Sequence, residues 1–235
     1  HTQRRRQRQM CIRDSYEACK NSFKNGNCVE VGSYCGKSAC YIGLACKEVG
    51  SKLFSIDHHK GSEEQQFGEE YFDEEIYDFS KKQVNTLPIF LKNIKKFNLE
   101  DHIEPLVMTS IDASFQVPDD LDLIFIDGSH TFESARSDYM HWRPKLRTGG
   151  ILAIHDIYDT EEEGGQAPKE IYAYCQNEGL DISTLVLNAG YQINTRLDEA
   201  SLEEEEACLR VLGLSVIMQT KLHLRDLVKR GGGNI

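Results

Sequence analysis

The 235-residue chain has no long hydrophobic run; its apolar stretches, such as residues 123–126, are only a few residues long. A membrane-spanning helix needs roughly 20 apolar residues, so no membrane role is expected. It also lacks a basic excess. With 27 Lys and Arg against 38 Asp and Glu the net charge is −11, which speaks against a nucleic-acid binder, because phosphate neutralisation calls for a basic surface. No CxxC pair occurs among the eight cysteines at 11, 19, 28, 35, 40, 46, 175 and 208, and no cysteine–histidine spacing suits a zinc site. Free thiols in a reducing cytosol are the simplest account, which makes a cytoplasmic location the expectation. The crowding of six cysteines before residue 47 leaves a disulfide open. Internal repeats and Pro- or Gly-rich linkers are missing as well.

What is present is an ordinary globular composition, 40% hydrophobic and 28% charged, on a chain long enough to bury a substantial core. The charge is uneven. Residues 1–15 hold five arginines against Asp14, so the other 220 residues carry −15. The basic head reads either as an arm or targeting peptide, or as translated adapter read-through on a gene fragment, and it is left out of the fold reading. A single domain is expected over residues 16–230, with a flexible tail over 231–235.

Strand-like apolar runs fall at 28–33, 52–57, 103–110, 121–127, 150–156, 182–187 and 214–219. Helical patterns lie between them at 38–49, 87–97, 133–142 and 169–179. Near-continuous apolar strands alternating with helices predict a doubly wound α/β sheet buried on both faces. Residues 62–78 break the rhythm with eight carboxylates in 17 residues. They read as a solvated helix or loop, or as a lid, because they follow the carboxyl end of the second strand, where ligands bind in such sheets. Tyr71, Phe72, Tyr77 and Phe79 there could shape a pocket or belong to the core. A second acidic run, 203–206, reads as a solvated helix face.

The first strand runs into Val29-Glu30-Val31-Gly32-Ser33-Tyr34-Cys35-Gly36-Lys37-Ser38. A P-loop would need glycine at position 31, where valine stands, and the dinucleotide fingerprint GxGxxG fails at Tyr34. What remains is a glycine turn between strand and helix, a place where a ligand can approach backbone amides. Glu30 beside it suits a ligand with positive charge. The second strand ends at Asp57, 25 residues after Gly32, where an acid can accept both hydroxyls of a ribose. The third ends at Thr109-Ser110-Ile111, placed to line an adenine. The fourth and fifth deliver Asp127, His130, His155 and Asp156 to the same carboxyl edge. Those types could hold a divalent metal of the Mg2+ or Mn2+ kind and supply a base.

Together, VEVGSYCGKS, FSIDHHKGSEEQ, the run from DLIFIDGSH to WRPKLRTGGILAIHD, and GGQAPKEIYAY resemble class I S-adenosylmethionine-dependent methyltransferases. The nearest likeness is to the macrocin-type O-methyltransferases, over roughly residues 28–175. The resemblance implies a Rossmann-like seven-stranded sheet, mostly parallel with an antiparallel last strand. It implies that Glu30, Gly32 and Ser33 hold the methionine portion of S-adenosylmethionine beside the Gly36 turn. Asp57 would bind the ribose, Ser110 and Ile111 would border the adenine, and Asp127 would also lie in the cofactor site. Asp127 and Asp156 match metal ligands and His130 matches the catalytic base. At position 155, a further metal-ligand candidate, several metal-dependent relatives carry Asp where this chain has His155.

The expected function is therefore metal-assisted O-methylation of a small-molecule acceptor; whether the chain forms a homo-oligomer stays open. A non-catalytic cofactor- or partner-binding protein on the same fold is the alternative. A nicotinamide oxidoreductase is disfavoured by the missing fingerprint.

Overall fold

A computed structural model describes residues 26–62, 65–69, 72–129 and 131–155, all within one compact unit, Ile12–Asp156. The chain starts with β1 (Cys28–Val31), α1 (Lys37–Val49) and β2 (Leu53–Ile56). A small antiparallel ribbon follows, β3 (Tyr77–Asp78) with β4 (Gln83–Val84), and then α2 (Leu87–Lys96). β5 (Ile103–Leu106), α3 (Ser110–Ser114), β6 (Leu121–Ile126), α4 (Phe132–Trp142) and β7 (Leu146–Ile154) complete the described order.

The main sheet is five-stranded in the order β5-β2-β1-β6-β7, and every neighbouring pair is parallel. The chain winds outward from β1 to β5, then crosses back to β6 on the other side. The strand order thus reverses between β1 and β6, the crevice in which open α/β sheets bind ligands. The expected mostly parallel, Rossmann-like sheet is borne out for these five strands. The strands expected at 182–187 and 214–219, the antiparallel last strand among them, lie outside the described residues, as do the helix at 169–179, the run 203–206, the basic head and the tail.

Alternation along β1 divides the core. Cys28 faces a cluster built from Ala39, Ile42, Cys46, Phe90, Ile94, Leu99 and Ile103 under α1 and α2. Val29 and Val31 face another with Ile56, Ala113, Ile124, Ile126 and Trp142 under α3 and α4. The pleat sends successive side chains to opposite faces, so both faces must be covered by helices. In β6 strict alternation fails at its start: Leu121 and Ile124 share one cluster, next to the point where the β6–β7 register shifts, between Leu121 and Leu123. Cys28, Cys40 and Cys46 are buried and Cys35 is half-buried.

Helix boundaries fall within a residue of expectation; strand ends shift further. The third sheet strand stops at Leu106 instead of reaching 110, because Thr109 caps a helix. Its Oγ1 accepts the Asp112 N–H at 3.2 Å and donates to Asp112 Oδ2 at 2.6 Å, which commits Ser110 to the first helical turn. The strand expected from 150 begins at Leu146. Gly149, at φ +75°, carries the backbone through a conformation that other residues avoid.

Candidate functional site

The carboxyl ends of β1, β2 and β6 converge. Gly32 follows β1 at φ +92°, and a Cβ there would lie 2.1 Å from the Asp127 carbonyl oxygen. Any side chain would force the two strand ends apart, so glycine is required by contact as well as by φ. The Gly32 N–H donates to Ile56 O at 2.9 Å and the Asp127 N–H to Val31 O at 2.8 Å. Gly36, at φ +82°, opens α1, and its missing Cβ leaves room for the Phe90 ring.

Glu30 is fully buried. It stands opposite Ser55 in the β1–β2 register, and the Ser55 hydroxyl donates to Glu30 Oε2 at 2.9 Å. The single Ser55 proton is thereby used, so the 2.6 Å contact between the Ser33 and Ser55 hydroxyls is donated by Ser33. Glu30 Oε1 is buried with no hydrogen-bond partner. Burial pushes the Glu30 carboxyl up to about 7; Ser38 and Ser55 oppose the rise, and the Asp127 and Asp57 carboxylates add to it. The three carboxylates therefore share one electrostatic neighbourhood. A cation placed there would favour the charged form of Glu30.

Asp57 follows β2, and backbone amides hold its carboxylate from both sides. The Tyr34 N–H donates to Oδ2 at 2.7 Å and the His59 N–H to Oδ1 at 2.6 Å. Each oxygen keeps a lone pair for one more donor, such as a hydroxyl. At the end of β6 the Asp127 carboxylate lies 3.3 Å from His155 Nδ1, and both side chains are almost fully buried. The His155 N–H donates to Ile126 O at 2.9 Å, which fixes this residue beside the β6 terminus.

Glu30, Gly32, Ser33, Gly36, Asp57, Asp127 and His155 thus stand at one edge of the sheet. Ser110 and Ile111 stand at the start of α3 instead of at a strand end. The Ser110 hydroxyl accepts the Trp142 indole N–H at 2.8 Å, and Ile111 is 41% exposed. His130 and Asp156 lie outside the described residues. Among the described residues, no group of three or more His, Cys, Asp or Glu side chains is arranged to hold a metal, and no helix is long and apolar enough to cross a membrane.

Three participants escaped the sequence reading. Ser55 is a polar residue inside a buried strand, LFSI, and that interruption was the available signal. Asp138, on α4, is buried beside Gly128 and Ser110, and its helical spacing from Trp142 marked it as core-facing. The third is His59, whose N–H holds Asp57; nothing local in the sequence distinguishes it from His58.

Beyond the edge, residues 62–78 and the β3–β4 ribbon carry a set of tilted or edge-on aromatic contacts. Phe67, Phe72, Tyr77 and Phe79 have ring centroids 5.0–5.7 Å apart, and Phe67 and Phe79 are more than half exposed. Glu69, Glu74 and Glu75 are exposed around them.

Residues 29–157 match a family described as a methyltransferase domain. The Sinorhizobium fredii protein y4gI is 27% identical over 140 residues, covering 58% of this chain. The match spans only 13% of that relative's own length. Among solved structures, the O-methyltransferase NovP is similar with a TM-score of 0.55 at 17% identity, covering 74% of this chain and 73% of NovP. The Streptococcus mutans protein SMU.1697c, solved in complex with SAH, gives 0.51 at 11% identity, covering 78% of this chain and 90% of that one. At these identities the two structures show a shared fold. Because the family match spans more than half of the chain, the chain belongs to the methyltransferase-domain family.

Proposed function

We propose that the chain transfers the sulfonium methyl of S-adenosylmethionine to a hydroxyl of a small molecule. The observation that carries this reading is the glycine turn at the β1–β6 switch point, with the carboxylates of Glu30, Asp57 and Asp127 gathered around it. A site that disfavours further negative charge and admits backbone approach suits a ligand bearing a sulfonium and an ammonium. Glu30 and the Ser33 region would hold the methionine portion, and Asp57 would accept the ribose hydroxyls with its remaining lone pairs. The choice of oxygen as acceptor atom draws on the likeness to NovP, itself an O-methyltransferase. The strands expected at 182–187 and 214–219 would complete a seven-stranded sheet.

S-adenosylmethionine, when bound, supplies the methyl group and, in a neutral thioether, the leaving group. In the proposed transfer the acceptor oxygen would form the new C–O bond as the C–S bond breaks, with that electron pair going to sulfur. The chain's main contribution is alignment, since two reactants held near attack distance gain several kcal/mol of barrier reduction. His130 would take the hydroxyl proton. The buried Asp127–His155 pair offers two donors of the hard and borderline kind. Asp127, Asp156 and His155 together would hold a divalent cation, which when bound would lower the acceptor's pKa.

The test is His130→Ala, assayed for S-adenosylhomocysteine release over a panel of phenols and sugars with Mg2+, alongside calorimetric titration of S-adenosylhomocysteine. Turnover is expected to disappear while affinity stays within about twofold; parallel loss of both would overturn the role given to His130.

A further inference from the structure

The two amides that hold Asp57 share an unusual feature. Tyr34 has φ +50° and His59 has φ +58°, both in the left-handed region that residues with a Cβ seldom enter. A strained backbone at a ligand site persists only where its surroundings enforce it. At His59 the enforcing contacts are visible. The side chain is buried, its Nδ1 lies 2.7 Å from Thr86 Oγ1, and its ring centroid is 5.1 Å from that of Phe90. The His59 carbonyl accepts the Thr86 N–H at 3.2 Å. Burial also lowers the imidazole's pKa, which keeps the ring neutral and suited to a hydroxyl partner. Residues 59 and 86 therefore close the neck of the excursion that leaves β2 and returns at α2. The Phe90 ring fills the space that a Cβ on Gly36 would take.

We propose that His59 is a positioning residue for the cofactor's ribose. Its ring, anchored on Thr86 and Phe90, holds its own backbone in the left-handed conformation, and its N–H in turn fixes the orientation of the Asp57 carboxylate. The inference rests on the reading of Asp57 as the ribose acceptor. It adds a residue that touches no ligand atom and acts through another.

The test is calorimetric titration of the full chain with S-adenosylhomocysteine in a double-mutant cycle. His59→Ala is expected to weaken binding about tenfold, and Thr86→Val, which removes the ring's anchor and leaves His59 in place, about threefold. In an Asp57→Ala background both changes should have an effect of less than about twofold, because coupled residues do not add. An analogue lacking the 2′ and 3′ hydroxyls should bind the wild type and both variants alike. Equal losses with and without Asp57, or equal losses for the dideoxy analogue, would make His59 a merely structural residue and overturn the proposal. If Asp57→Ala leaves affinity unchanged, the ribose reading falls and takes this inference with it. If Asp57→Ala weakens binding but neither His59→Ala nor Thr86→Val does, this inference alone falls. Should His59→Ala fail to fold, the Thr86→Val cycle decides the matter.

Discussion

The two ends of the parallel sheet treat buried carboxylates in opposite ways. At the amino end, Asp122 of β6 is buried and forms an ion pair with Arg147 of β7, while its other oxygen accepts the Gly26 N–H at 2.7 Å. The charge is answered within the chain. At the carboxyl end, Glu30 accepts its hydrogen bond from a serine hydroxyl, and its neighbours Asp57 and Asp127 raise its pKa further. That end holds negative charge in a form a cationic ligand can complete. One arrangement stabilises the fold; the other costs stability and, on the proposed function, prepares a site, a division common where function requires a strained or charged locus.

The largest effect that would break this comparison is expected at the amino end. Arg147→Met removes the ion-pair partner of a buried carboxylate, a change that costs about 3–5 kcal/mol where a buried pair is broken from one side. Urea unfolding should register the loss, and S-adenosylhomocysteine affinity measured under folding conditions should stay within about twofold. A comparable loss of affinity would mean that the two ends are not separable.

Glu30→Gln sharpens the comparison from the other side. The folded-state pKa of about 7 lies above the ordinary glutamate value of 4.5, so between these values the folded protein binds more protons than the unfolded chain. Stability therefore falls as pH rises from about 4.5 to 7, and the deficit is fully present above pH 7. Glutamine can still accept from Ser55 but carries no charge. The variant is expected to be more stable at pH 8 by about 3 kcal/mol, with the pH dependence in that window flattened. Affinity for S-adenosylhomocysteine, whose ammonium loses an anionic partner, should drop about tenfold. Stability and binding moving in the same direction would contradict the role assigned to Glu30.

This division was partly legible in the residues. The glycine turn, Glu30 and Asp57 stood out because a buried parallel strand is a run of apolar residues, and a glycine or acid at its end interrupts that run. The end of β5 was misjudged because the apolar run hid a cap: Thr109 followed by Asp112 is the start signal of a helix, and it overrides the strand pattern. The ribbon of β3 and β4 left no periodic trace, since two-residue strands are too short to alternate; their aromatic contacts hold the segment instead. Ser55 mattered only through register, as the residue facing Glu30 across β1 and β2. His59 depends on Thr86, 27 residues away, and no local pattern reports a contact of that span.

The smallest expected effect concerns Asp138, which tests how far the carboxyl-end logic extends. Its carboxylate, on α4, lies 3.1 Å from where a Gly128 Cβ would be, so it backs the loop that follows β6. Burial pushes its pKa up to about 6, against the opposing influences of Ser110 and His141. As with Glu30, the raised value means that stability declines as pH climbs from about 4 to 6 and that the full cost applies above 6. Asp138→Asn keeps the shape and a hydrogen-bonding group towards Ser110. It should gain about 3 kcal/mol above pH 6 and nothing near pH 4. Unlike Glu30→Gln it should leave S-adenosylhomocysteine affinity unchanged, because the carboxylate stands behind the loop and not in the crevice. A fall in affinity with the gain in stability would move Asp138 into the binding edge and widen the charged end of the sheet by one residue.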